Sequence, residues 1–469
     1  CSGAGGAGGP GNGGGSGGGF IAAAGGTQSS AGGSGSTAGG DGSFAGGAGS
    51  FAGGAGATAG GSGVATRGAF AIPSFTFSPK AVASSDGAQH IAYRTQTPTT
   101  VVYGRCTSSC SLESSWQKVE LAGHNGYSAA TLLAVGADLR VHVIYEMGGA
   151  YTYATCAANC GQLSSWAQSP LSVPSSCDYV GGENNLVIDA QGRLSFITSD
   201  FNETSLCLNT CAGSCGSAAS WSSGQVLTAS GASGRPKSAF ALGGSALHVL
   251  LDDGVDGVRY ATCSGNCTQP SSWQASSFFL YHGATPLALA ATASGKVYVA
   301  YNQGITAATV PANDKQNDDR LIVWECTGNC ITNTAWHGVV LGAAGDGKNG
   351  LSVVEAGDGA LVVSANTELS VHGCAGSCGS GPSWRSGTLE SIQERAALMP
   401  DPYSTLGCTV NGQPVRPDFA GWYPENPAVS LAVDGSMLVH SMSMGIRVCP
   451  GLTTRTVFPG YGELLWVAP

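Results

Sequence analysis

Seven short apolar runs along the chain share one pattern: GAQHIAY (87 to 93), DLRVHVIY (138 to 145), GRLSFIT (192 to 198), GSALHVLL (244 to 251), GKVYVAY (295 to 301), GALVVSA (359 to 365) and GSMLVHSM (435 to 442). Each opens on Gly or Asp and is rich in β-branched and aromatic residues, and none carries a helical stripe of useful length, so each predicts a β-strand entered from a turn. A second apolar run precedes each of them, from AVAS near 81 to AVSLAV near 428. After six of the seven comes the phrase C-x3-C-x5-W, at Cys106/Cys110/Trp116, Cys156/Cys160/Trp166, Cys211/Cys215/Trp221, Cys263/Cys267/Trp273, Cys326/Cys330/Trp336 and Cys374/Cys378/Trp384. The first cysteines lie 50, 55, 52, 63 and 48 residues apart. Periods of that size belong to propellers and solenoids. Four strands fit each period, so seven units read as an all-β, seven-bladed β-propeller of four-stranded blades.

The expected blades are 78–121, 127–172, 184–227, 237–279, 286–341, 349–389 and 427–467, with an insertion at 390–426, all within a 67–469 domain. The stretch RGAFAIPSFTF (67 to 77) is expected to add a strand to the last blade and close the ring. Three of the second runs place a histidine in one aligned column, His90, His142 and His248. Equivalent positions on different blades stand far apart around a ring, so these histidines predict bonds within their own blades and not a shared metal.

Composition changes the picture at the N-terminus. The chain has 75 glycines and only 10% charged residues. Residues 1–66 hold no Lys or Arg and one acid, Asp41. Such a segment buries too little apolar surface to offset the entropy of ordering and reads as a flexible tether. A Gly-rich coil of that length spans roughly 40 to 50 Å root-mean-square.

Setting Cys1 aside leaves sixteen cysteines. A C-x3-C pair supplies two zinc ligands with no companion pair or histidine at finger spacing, whereas an even count in an exported chain fits disulfides. Each phrase therefore predicts a local disulfide staple. Cys177 and Cys207 are expected to pair as well, and the partnership of Cys408 with Cys449 is left open.

Two resemblances follow from these motifs. The start CSGAGG, a cysteine followed by Ser and a Gly-rich tether, resembles a processed bacterial lipoprotein. That resemblance implies a lipidated Cys1, an outer-membrane partner, and localisation at the cell surface or in the periplasm. The staple falls between third and fourth strands, where sialidase-type (Asp-box, BNR-type) propellers carry a short polar turn ending in Trp; SSW at 114 to 116, 164 to 166 and 271 to 273 is similar. Sialidases also carry an F-R-I-P motif whose Arg binds the substrate carboxylate. Here FAIP at 70 to 73 puts Ala71 in that place. Near the starts of the innermost strands lie Lys80, Arg235, Lys237 and Lys348 with Glu183 and Glu425, giving one arginine where the family uses three.

The apolar channel strands point function to the loop rim opposite the staples. Expected binding residues are Trp422, Tyr423 and Tyr403 for stacking, with Arg416, Asp418 and Glu425 to orient a polar ligand, and Asp252, Asp253 and Asp256 as polar or calcium ligands. No catalytic residue is assigned, and no cofactor other than calcium is considered. A formal net charge of −10 argues against nucleic acid as partner. The expected function is a surface-anchored binding module for extracellular glycans or protein partners. The alternatives are a sialidase-like glycoside hydrolase or lyase, and a structural envelope component.

Overall fold

A computed structural model describes residues 67–72, 76–95, 99–124, 131–177, 179, 185–200, 205–228, 238–252, 258–276, 284–303, 320–341, 350–366, 368–391, 408–410, 413–415, 418–448 and 455–467. The tether, Cys1 and the pairing of Cys408 with Cys449 lie outside what is described. Seven four-stranded antiparallel sheets follow one another along the chain, six of them with their strands in sequential order from the innermost outward. Blade one, for example, is Thr76–Ala83, Gln89–Thr95, Thr99–Cys106 and Gln117–His124. Innermost strands of successive blades touch around the ring, and Thr76–Ala83 of blade one touches Asp418–Leu431 of blade seven. The fold is therefore a closed seven-bladed propeller. Its ring is locked by Arg67–Ile72, which pairs antiparallel with Arg455–Val467 as the outermost strand of blade seven. The two ends of the domain thus share one sheet, which leaves only short edges.

Apolar burial is divided among the junctions between blades. Seven clusters of buried side chains each join two neighbouring blades. In six of them the staple of the later blade forms part of the cluster, as with Cys156, Cys160 and Trp166 of blade two against Val101, Tyr103 and Val119 of blade one. The described junction between blades six and seven is built from aliphatic residues without a staple.

The six staples have one geometry. The disulfides Cys106–Cys110, Cys156–Cys160, Cys211–Cys215, Cys263–Cys267, Cys326–Cys330 and Cys374–Cys378 each span four residues, with Cα atoms 5.6–5.8 Å apart. A single 3-10 turn then leads to the Trp. Its indole N–H donates at 2.7–3.1 Å to the carbonyl of the second cysteine, which is Cys110, Cys160, Cys215, Cys267, Cys330 or Cys378 in turn. Closing so short a loop contributes only about 2 kcal/mol through chain entropy. The staple's further contribution is to orient a large buried ring into the neighbouring blade. A seventh disulfide, Cys177–Cys207, ties the connector before blade three to that blade's third strand.

The histidine column is bonded within its blades. His90, His142 and His248 meet Tyr103, Tyr153 and Tyr260 through Nδ1 at 2.7, 2.7 and 2.6 Å. Each tyrosine ring then meets a staple Trp of the next blade edge-on: Tyr103 on Trp166, Tyr153 on Trp221 and Tyr260 on Trp336. A repeated chain of His, Tyr and Trp thus links each of these three blades to its neighbour. Burial pushes all three histidines down to about 4, so they are neutral at pH 7.

Blade seven departs from the expected boundary. Its first strand starts at Asp418 and not near 427, and runs 14 residues to Leu431. It pairs along most of its length with Met437–Val448, which pairs in turn with Arg455–Val467. Residues 418–426 of the expected insertion are thus strand, with register shifts between Phe419 and Gly421 and between Glu425 and Ala428. A bulge of this kind accommodates a proline that cannot donate to the ladder, here Pro427 in the second shift.

Candidate functional site

The turns between first and second strands and the staples lie on one rim; the connections between blades lie on the other. On the staple rim, adjacent blades leave clefts where the first blade's turn and third strand face the next blade's turn and staple. The cleft between blades one and two has a volume of about 320 Å³. Blade one contributes Ser84, Asp86, His90, Arg105 and Gln117; blade two contributes Leu139, Val141 and the staple residues Ala157 to Cys160. A smaller cleft of about 150 Å³ lies at the corresponding junction of blades three and four, with Arg193, Thr210 and Ser222 facing Asn266, Cys267 and Thr268.

The staple cysteines divide accordingly. Cys160 and Cys267 each form part of a cleft wall. Their counterparts Cys110, Cys215, Cys330 and Cys378 border neither cleft, although the sequence singles them out in the same phrase. All six are buried in the cores between blades, where they hold the staples.

The polar groups of the larger cleft are organised from behind. Arg105 donates to Asp86 Oδ2 at 2.8 Å. Asp86 Oδ1 also accepts from the Ser84 hydroxyl and from the Ala88 N–H, the latter at 3.1 Å. Ser84 Oγ lies 2.9 Å from His90 Nε2, and His90 Nδ1 meets Tyr103. Burial alone raises the Asp86 carboxyl, but the bonds from Ser84 and Ala88 and the Arg105 charge outweigh it and hold the group below its ordinary value. His90 is pushed to about 4 by burial, reinforced by the Arg105 charge and opposed by Asp86. The line from Tyr103 through His90 and Ser84 to Asp86 thus fixes a carboxylate and guanidinium pair at the cleft, each about one-third exposed. Beside them, Arg140 and Asp138 form a second pair at 3.6 Å.

The corresponding place between blades five and six is bridged by hydrogen bonds. Lys296, from the blade-five turn, sends its ammonium across to the carbonyls of Asp358 and Gly376 in blade six at 2.7 and 2.9 Å. Glu325 immediately precedes its blade's staple, as Arg105 does in blade one, and accepts from the Gly379 N–H at 2.6 Å. Its carboxylate is buried at 3% exposure, 3.9 Å from the Lys296 ammonium. These contacts bond the two blades to each other, whereas Arg105 and Asp86 of the first junction bond within blade one.

The residues expected on the loop rim stand as follows. Tyr403, Arg416, Asp253 and Asp256 lie outside the described residues. Asp252 ends the second strand of blade four. Asp418, Trp422, Tyr423 and Glu425 are brought onto the blade-seven strand, where Trp422 is in register with Gly445 and Tyr423 with Met444. Among the described residues no group of three or more His, Cys, Asp or Glu side chains is placed to hold a metal ion. Sequence reasoning did not find the staple-rim cleft. Its available signal was Leu139, standing where the aligned turns of blades one, three, five and seven have Gly87, Gly192, Gly295 and Gly435.

No family model matches the chain, and no curated protein matches it in sequence. Solved structures with similar architecture include the polysaccharide lyase Uly1, at 8% identity over 85% of this chain and 90% of that one, with a TM-score of 0.45. The six-bladed fucose-recognising lectin of Aleuria aurantia is 12% identical over 67% of this chain and 96% of its own, with a TM-score of 0.41. The NanB sialidase of Streptococcus pneumoniae is 7% identical over 68% of each chain, with a TM-score of 0.42. Likenesses at this level carry no information about the site.

Proposed function

We propose that this chain is a recognition module whose ligands are extracellular glycans, bound at the staple-rim clefts between blades. One observation supports the reading above others: corresponding blade junctions are open at one-two and three-four, each combining buried apolar and disulfide walls with a few fixed polar groups. Concave sites of that composition suit small polar ligands. Asp86 is the sole carboxylate among the described residues lining either cleft, and it is held by Arg105. Glycoside hydrolysis normally needs two carboxyl groups across one bond, so the clefts suit binding better than turnover. The test is a glycan array followed by calorimetry with Gln117→Ala and Asn159→Gly. Glycan binding weakened by both variants supports the reading, and an array without a hit removes it.

A second surface is favoured by the long strands of blade seven. They carry Asp418, Trp422, Tyr423 and Glu425 on strands longer than those of any other blade among the described residues, which suits a protein or glycan partner reaching the loop rim. Trp422→Ala should cost such a partner roughly 1 to 3 kcal/mol if the ring anchors it. Unchanged affinity for every ligand found would remove this surface from consideration.

A further inference from the structure

Leu139 has φ 62°, in the left-handed region where a leucine pays a steric penalty and glycine does not. It occupies the same turn position as Gly87, Gly192, Gly295 and Gly435, all at positive φ. Each of those residues and Leu139 donates its N–H to the carbonyl three residues before it. The backbone requirement is thus shared by five blades, and one of them meets it with a bulky side chain. That side chain is not used in the core: Leu139 is 39% exposed and lines the cleft between blades one and two. Asn159, on the same cleft wall, also has a positive φ of 56°. Of the three non-glycine residues with positive φ among those described, two border this cleft. Strain retained at a site without a packing benefit points to what the site contacts.

The charges give the second constraint. Arg105 is paired with Asp86 in the cleft wall, and on the blade-two turn that carries Leu139 the exposed Arg140 is paired with Asp138. A ligand bearing a carboxylate or sulfate would bring its charge beside the Asp86 carboxylate, which already neutralises Arg105. A neutral ligand with adjacent hydroxyls can donate to Asp86 and accept from Arg105 while both stay paired. Gln117 and Asn159 supply further donors and acceptors on the two walls.

Resting on the glycan-binding reading above, we propose that the cleft between blades one and two takes a neutral sugar carrying a small apolar substituent, a deoxy methyl or an N-acetyl methyl, which lies against Leu139. Its hydroxyls bond Asp86, Arg105, Gln117 and Asn159. Ser84 and His90 are positioning residues that hold Asp86.

The experiment measures affinities for matched methyl glycosides that differ by one apolar group: galactoside against 6-deoxygalactoside, and glucoside against N-acetylglucosaminide. Each is titrated into the full chain and into Leu139→Gly, which fits the turn's backbone and should melt no lower than the parent. One substituted member should bind roughly tenfold more tightly than its parent sugar, the discrimination one buried methyl supports. Leu139→Gly should abolish that preference, and raising salt from about 0.05 to 0.5 M should leave binding unchanged because the ligand carries no charge. Equal affinities within both pairs, a preference that survives Leu139→Gly, or tighter binding of a uronate or sulfated glycoside that salt weakens would each overturn the inference and leave the broader reading standing. Absence of binding by every glycoside would overturn both.

Discussion

The junctions between blades one and two and between blades five and six are built on one plan and end differently. In both, the later blade's staple packs its Trp into the shared core, Trp166 in one and Trp384 in the other. At the mouth, blade one presents Arg105 and Asp86 bonded to each other, which leaves the space between blades open. Blade five instead sends Lys296 onto two carbonyls of blade six and takes a backbone N–H into Glu325, which cross-links the blades. Polar residues at the mouth can therefore bond within a blade and leave a cleft, or across blades and close it. The repeated core sets the architecture, while at these two junctions the residue before the first cysteine and those of the turn bond within a blade in one case and across blades in the other.

The largest expected effect tests the shared part of that comparison. Trp166→Ala and Trp384→Ala should each destabilise the domain by about 3 to 5 kcal/mol in urea unfolding, since both delete a buried ring and orphan a carbonyl, that of Cys160 or Cys378. A loss confined to one junction would show that the plan is not common to both.

Acid should act next, through the histidines. The second-strand position that is His90 and His142 in the first two blades is Tyr298 in blade five. Both histidines are pushed by burial from 6.5 to about 4. Between those values the unfolded chain binds the proton and the folded chain does not, so stability is full above about pH 6.5 and falls as pH drops towards 4. Each shift corresponds to about 3 kcal/mol at most. Unfolding of His90→Gln/His142→Gln should consequently show a shallower fall between pH 6.5 and 4.5 than the parent; an identical slope would mean that these two groups titrate normally.

Opening the sealed junction should cost less. Lys296→Met removes three polar contacts and leaves Glu325 buried with a backbone donor, for a loss of roughly 1 to 3 kcal/mol. A crystal structure of the variant should show a cleft resembling that between blades one and two. A junction that stays closed would assign the sealing to other residues. The smallest effect has the opposite sign: Leu139→Gly should raise stability by about 1 kcal/mol by relieving the left-handed leucine. A destabilised variant would show that Leu139 is a packing residue.

Much of this fold was legible because a blade is a local unit repeated at near-constant spacing. The seven apolar runs became seven second strands, and the 67–77 stretch supplied the closing strand as Arg67–Ile72. The histidine column was readable as intrablade because ring geometry separates equivalent positions. The staples were readable as disulfides for the same local reason, but the phrase gave no sign that Cys160 and Cys267 would each wall a cleft. Blade seven was misjudged at its start because Pro424, Pro427 and Gly421 interrupt strand periodicity, and bulges that absorb such residues leave no local signature. The cleft was hidden for a different reason: Arg105 and Asn159 are 54 residues apart and meet only where two blades abut. Leu139 alone marked it, as a departure from glycine that is visible once the turns are aligned.

The most direct test of the account is a crystal structure of the chain soaked with the tightest-binding methyl glycoside. Sugar density is expected between blades one and two, within hydrogen-bonding distance of Asp86 and Arg105 and with its methyl group on Leu139, and none at the junction bridged by Lys296. Density at that sealed junction, in the central channel or against the long strands of blade seven, with the first cleft empty, would contradict it.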